Sequence, residues 1–146
     1  MNNRGVSVTV NFALTLVVAT MLLSTLMFAA GSLVDTQQDR TVRTELRVIG
    51  ERLAASLMTA DRLVETGADK VVIRTEAPNS VGSVGYEVEM NVSSDKSEII
   101  MEPSGTLSTV TVQFVNKTNV EPTVVQGGDT KVVLADSGSL EVRSDA

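Results

Sequence analysis

The stretch DTQQDRTVRTELRVIGERLAASLMTADRLVETG (residues 35–67) decides the fold, because its apolar residues recur at steps of four and three. The series is Val42, Leu46, Ile49, Leu53, Leu57, Ala60 and Val64. This spacing places the side chains on one stripe of an α-helix. Gly50 interrupts the pattern, but a helical glycine costs only about 1 kcal/mol relative to alanine. Glu-Thr-Gly at residues 65–67 supplies the C-terminal stop.

A long apolar run precedes this stretch. Residues 12–34 carry no charged side chain, and about 20 apolar residues suffice to span a bilayer core. Residues 35–41 contain neither proline nor glycine. We therefore predict one continuous helix from about Val6 to about Thr66, roughly 90 Å long. The hydroxyl groups inside the apolar run can donate to the carbonyl one turn earlier, which makes them tolerable in lipid.

Small residues in the apolar run are candidates for helix packing. Thr20 and Ser24 are spaced i,i+4, as are Thr25 and Ala29, and Ala19 lies beside them. Such pairs let neighbouring helices approach closely. Ordinary membrane-helix composition explains the same residues without a partner.

The flanks of the run predict its orientation. Arg4 lies before it, and Asp35 and Asp39 follow it, so the positive-inside rule places the N-terminus in the cytoplasm and the C-terminal part outside. A cleaved secretory signal is the alternative, with FAAGS (residues 28–32) as the cleavage site near Ala30. The apolar core exceeds the usual length of about 7–15 residues.

The composition excludes several kinds of chemistry. The chain has no Cys, His or Trp, which removes disulfides, thiolate chemistry, most zinc sites and a Ser-His-Asp triad. From Asp35 onward 11 basic residues face 18 acidic ones, a net charge of −7. This balance argues against nucleic acid and anionic membrane surfaces as partners. Four Lys against eight Arg suggest a salt-adapted, halophilic protein.

The periodicity changes to two after residue 68, which predicts half-buried antiparallel strands. The clearest are VGYEVEMNV (residues 84–92) and TVTVQFV (residues 109–115). Shorter predicted strands cover residues 71–75, 97–102, 130–135 and 140–143. We expect an α+β fold in which the long N-terminal helix packs on one small antiparallel β-sheet head of five to seven strands. QGGD (residues 126–129) is expected to be a hairpin turn.

Other candidate sites lie in the predicted head. Asn91 and Asn116 begin the N-glycosylation sequons Asn91-Val92-Ser93 and Asn116-Lys117-Thr118. Paired carboxylates for glycoside chemistry could be imagined among Glu87, Glu89, Glu98 and Glu102. Alternating Glu on the outer face of a strand is more typical of a solvated surface. We predict no enzymatic activity, cofactor, metal or small-molecule substrate.

A basic residue and a glycine, a long apolar helix that continues as an amphipathic helix, and a small β-head together resemble the type IV pilin superfamily. The chain looks most like the archaeal pilin-like proteins of haloarchaea, which carry a class III signal peptide. RGVS (residues 4–7) and RTELRVIGERLAASLMTADRLV (residues 43–64) carry the resemblance. It implies a pilin-like architecture with a leader (1–5), a transmembrane and assembly helix (6–34), its amphipathic continuation (35–67) and an extracellular β-rich head (68–146).

The resemblance also implies processing and assembly. A prepilin-type peptidase would recognise Arg4 and Gly5 and cut before Val6, and the exposed helices would then associate with other pilin-like subunits into a filament. Two positions depart from the family. Val10 stands where many pilins carry Glu, and Val8 stands where Pro is frequent.

Three functions follow as hypotheses. The first is a structural pilin-like subunit of a surface filament or its assembly complex. The second is an unprocessed single-span anchor whose head binds an envelope partner through its sheet. The third is a secreted soluble β-domain released by cleavage near Ala30.

Overall fold

A computed structural model describes the backbone of residues 3–93, 96–105 and 107–145, with side chains described from Val8 onward within those ranges. Helix α1 spans Asn3–Glu65, which confirms the continuous helix expected from the sequence. The chain forms two compact units, Met1–Gln38 and Asp39–Ala146. The second unit contains residues 39–65 of α1 and the strands found among the described residues.

Helix α1 ends at Glu65, within the stretch 65–67 that the sequence indicated as its stop. Gly67 has a φ of +90°, in the left-handed region that favours glycine. Its N–H donates to the Val64 carbonyl at 2.9 Å, and the Ala68 N–H donates to the Leu63 carbonyl at 3.1 Å. These two bonds form a Schellman motif, which satisfies carbonyls that the end of the helix leaves free.

The described part of the head forms two antiparallel sheets rather than the single sheet expected. The strands are β1 (Val72–Thr75), β2 (Ser80–Val81), β3 (Val84–Val92), β4 (Ser97–Pro103), β5 (Val110–Phe114), β6 (Val124–Gln126), β7 (Thr130–Leu134) and β8 (Leu140–Ser144). One sheet has the order β1-β7-β8 and the other β2-β3-β4-β5, with β6 also paired to β3. The predicted α+β fold of a long helix on antiparallel strands is confirmed, and the strands divide into two sheets because β6 pairs with β3 whereas β7 pairs with β1 and β8.

The connection between β6 and β7 is therefore not the predicted hairpin. A Cβ on Gly127 would lie 2.7 Å from Cε1 of Tyr86. The φ of Gly128 is +131°, and its position is buried against Asn79. Two glycines let the backbone pass this closely while it crosses from one sheet to the other.

A short hairpin joins β2 and β3. Val81 pairs with Val84, and the two residues between them, Gly82 and Ser83, have φ values of +55° and +68°. Positive φ at both positions is the geometry of a type I′ turn, whose twist suits a two-residue hairpin.

One hydrophobic core joins the amphipathic part of α1 to both sheets. The predicted stripe is buried from Val42 to Ala60, and Val64 is partly buried, which confirms the predicted face. The sheets contribute apolar side chains such as Met90, Ile99, Met101, Val132, Leu140 and Val142. Gly50 lies at a close approach of helix and sheet: a Cβ there would be 2.9 Å from Cγ2 of Val112 and 3.0 Å from Sδ of Met101.

Candidate membrane and assembly segment

The first part of α1 presents apolar side chains on every side. Each large apolar residue from Val8 to Val34 is between 48% and 83% exposed. Exposing an apolar surface of this extent to water is energetically unfavourable. Among the described residues, α1 is the one helix long and apolar enough to cross a membrane. The segment is compatible with a membrane anchor or a signal segment.

The hydroxyl groups in this segment are satisfied within the helix. Thr15 donates to the Asn11 carbonyl at 2.8 Å, and Thr20 donates to the Leu16 carbonyl at 2.9 Å. Ser24 and Thr25 also donate one turn back, to Thr20 and Met21, at 2.9 Å each. These bonds confirm the expected pattern and remove much of the cost of placing a hydroxyl in hydrocarbon.

The five predicted packing residues are exposed on the helix surface. They are Ala19, Thr20, Ser24, Thr25 and Ala29. Their short side chains therefore remain available to a partner helix, and contact with such a helix stays a prediction. The backbones of Arg4, Gly5 and Val6 belong to α1. Their side chains lie outside the described part of the chain, and the processing site also stays a prediction.

In the head, two aspartates of α1 hold loops that flank β5. Asp39 accepts the backbone N–H of Ser108 at 3.0 Å and its hydroxyl at 3.3 Å. Asp61 accepts the backbone N–H of Thr118 at 2.7 Å and that of Lys117 at 3.1 Å. Lys117 also pairs through Nζ with Glu65 at 2.7 Å. Helix α1 thus fixes the backbone on both sides of the strand.

Asp61 is the charged residue among the buried side chains of the described head, and the sequence did not reveal it. It is 6% exposed. Burial raises the pKa of its carboxyl group, but hydrogen bonds from Thr118 and Lys117 lower that pKa by more, so the net shift is downward. The sequence signal for this buried carboxylate was that it directly follows Ala60, a residue of the apolar stripe.

The two predicted glycosylation sites differ in access. Asn91 is exposed on the outer face of β3. Asn116 is half-buried, with Nδ2 donating to the Thr118 carbonyl at 2.7 Å and Oδ1 accepting the Ser97 hydroxyl at 2.5 Å. The side chain that a glycan would modify is therefore already bonded at Asn116.

The four glutamates weighed as carboxylate pairs lie on β3 and β4. Glu87, Glu89 and Glu102 are exposed, and Glu98 is half-buried and accepts from Nε2 of Gln113 at 3.0 Å. This confirms the expected outer face of the strands. Within the described residues no group of three acidic side chains is placed to hold a metal ion.

These features define an α+β protein in which one long apolar N-terminal helix continues into the core of an antiparallel β-head. The chain belongs to the family of unknown function DUF7266, whose family model matches residues 1–145. No curated protein and no solved structure matches it. The resemblance to archaeal pilin-like proteins rests on the residues quoted above.

Proposed function

We propose that the protein is a structural, pilin-like subunit of an archaeal surface filament or of its assembly complex. Residues 6–34 would insert into the cell membrane, with the N-terminus cytoplasmic and the head outside. The observation that carries the proposal is the exposure of every large apolar side chain from Val8 to Val34. Its partners are other pilin-like subunits and a prepilin-type peptidase.

The contrast between the two parts of α1 supports this function. The stripe from Val42 to Ala60 is buried by the chain's own sheets, so the head covers its apolar surface by itself. The earlier segment has no such cover among the described residues. Lipid covers it in the membrane, and sister helices would cover it in a filament, where small residues such as Ala19 permit close packing.

The first experiment is intact mass and N-terminal sequencing of the protein from its native membranes. A chain that starts at Val6 is the expected result, because the proposal requires removal of residues 1–5. A chain that starts at Met1 or Asn2 would contradict the processing and favour the unprocessed anchor. A chain that starts near Gly31 would mean that the apolar segment is a discarded signal.

The second experiment tests the packing face with an apolar change that preserves insertion. Ala19→Leu adds bulk at a position where the proposal needs a small residue, and we expect it to abolish filaments seen by electron microscopy. Val18→Leu on the same helix is the matched control and should leave assembly intact. Equal assembly by the two variants would overturn the role of Ala19.

A further inference from the structure

A groove lies between α1 and β5, entirely within the second unit. Its volume is about 560 Å³. It is lined by Arg40, Arg43, Thr44, Arg47 and residues 109–111. Strand β5 pairs only with β4 in the described sheet, which makes it an edge strand, and its first residues Val110 and Thr111 line the groove. Edge strands are common sites of association with another chain.

The groove is basic on a chain whose net charge is −6. Arg40, Arg43 and Arg47 are exposed and share one face of α1. None of the ion pairs within the described residues involves them. Arginines at i,i+3 and i,i+4 repel one another, and guanidinium groups bind carboxylates through paired hydrogen bonds. The groove therefore favours an acidic partner.

The outer face of the five-stranded sheet is acidic, in contrast to the basic groove. Strands β2 to β6 contain no Lys or Arg. Glu87 on β3 lies directly opposite Glu102 on β4, and like charges in this position destabilise a sheet. Neither residue belongs to an ion pair within the described part of the chain. Basic groups from elsewhere would relieve this repulsion.

One chain cannot bring these two surfaces together. Glu87 and Glu89 alternate along β3 with Val88 and Met90, which are buried in the core that α1 shares. The glutamates therefore point away from the helix that carries the arginines.

We propose that the groove lined by Arg40, Arg43 and Arg47 binds the acidic sheet face of a second copy of this chain. The inference rests on the proposed function, because that function makes the chain a repeating subunit. Two different, complementary surfaces on one molecule give a head-to-tail contact, which extends into an open filament unless its rotation closes a ring.

Cysteine cross-linking tests this contact, since the native chain has no cysteine. Thr44→Cys places a thiol in the groove, and Gln126→Cys places one beside Glu87, with which Gln126 pairs across β6 and β3. We expect the double variant in native membranes, treated with a short bis-maleimide, to give a ladder of covalent multimers. Each single variant should stay monomeric. Dimers from Thr44→Cys alone, or no ladder from the double variant, would overturn the proposal.

Charge exchange provides the second test. In the Thr44→Cys/Gln126→Cys background, Arg43→Glu and Glu87→Arg should each lower the multimer yield about fivefold to tenfold. Combining the two changes should restore the yield to within about twofold, because positions 43 and 87 then carry opposite charges again, with the signs exchanged. Arg62→Glu, on the same helix outside the groove, is the control. If the groove instead bound anionic lipid, Arg43→Glu would lower the yield and Glu87→Arg would not restore it, which would overturn the proposal.

The two proposals fail in different ways. Filaments that survive Arg43→Glu but not Ala19→Leu would overturn the head contact and leave the proposed function intact. A ladder from chains that still begin at Met1, with no filaments on the cells, would support the head contact and contradict the filament subunit.

Discussion

The carboxylate of Asp61 accepts the backbone N–H of Thr118 at 2.7 Å, joining the end of α1 to the loop after β5. The neighbouring Lys117 N–H donates to the same carboxylate at 3.1 Å. A carboxylate near a helix C-terminus gains nothing from the helix dipole. Asp61 instead stabilises the loop, which carries the second glycosylation sequon.

Removing this carboxylate should destabilise the head. Asp61→Ala leaves two backbone N–H groups without their acceptor, and we expect the free energy of unfolding to fall by about 2–3 kcal/mol. Urea denaturation of the full chain in detergent, followed by circular dichroism, measures the loss. Asp69→Ala, at an exposed position, should change stability by less than about 0.5 kcal/mol. Equal losses from the two variants would show that the Asp61 contact is unimportant.

The same carboxylate predicts an acid-sensitive loss of stability. Its folded-state pKa lies below the ordinary value of 3.8, because hydrogen bonds from Thr118 and Lys117 outweigh the upward effect of burial. A lowered folded pKa gives a contribution that is complete above 3.8 and is lost as the pH falls toward the folded value. As the pH falls below about 4, the wild-type chain should therefore lose stability more steeply than Asp61→Asn. Parallel curves from pH-dependent denaturation would contradict this assignment.

Gly50 should be required by packing rather than by its backbone conformation. Gly50→Ala gains about 1 kcal/mol of helix propensity, but its Cβ would lie 2.9 Å from Cγ2 of Val112. We expect a net loss of about 1–2 kcal/mol in the free energy of unfolding, because Cγ2 of Val112 belongs to a stiff β-branched side chain that cannot easily move away. The Val112→Ala background makes room and should reduce the loss. A double-mutant cycle measures this coupling, and additive effects would count against the close contact.

The two sequons should be modified unequally. Asn91 is exposed, whereas Nδ2 of Asn116 is bonded to the Thr118 carbonyl at 2.7 Å. Glycopeptide mass spectrometry of the protein from its source membranes should find higher occupancy at Asn91. Asn91→Gln should then remove most of the glycan mass, and Asn116→Gln should remove little. Higher occupancy at Asn116 would contradict this order.

The elements that the sequence predicted correctly have a local signal. The apolar spacing from Val42 to Ala60 gave both the helix and its buried face, and Gly67 gave its end. Alternation gave β3 and β5 with their inward sides. The sequence missed β2 and β6, since β2 has two residues and β6 has three, too few to show a period. Gly82-Ser83 was a hairpin signal available in the sequence.

The same distinction between local and tertiary information applies to the surfaces proposed for assembly. The apolar character of residues 8–34 and the back-donated hydroxyls follow from local sequence, because a helix offers each hydroxyl a carbonyl one turn away. The basic groove and the acidic sheet face of the head do not follow from local sequence. Arg43 and Glu87 look like ordinary surface charges in the sequence, and only the packing shows that each belongs to an unbalanced patch.

By itself, the sequence determined the long helix, its change from apolar on all sides to apolar on one stripe, and the inward faces of the longer strands. These properties depend on residues within one or two turns or on alternate positions of one strand, so periodicity reports them. Tertiary structure alone decided the division into two sheets, the sheet order, the close approach at Gly50 and the bond from Thr118 to Asp61. Those features join residues far apart in the chain, and the energies that select among possible pairings are packing and hydrogen bonding, which no local pattern records.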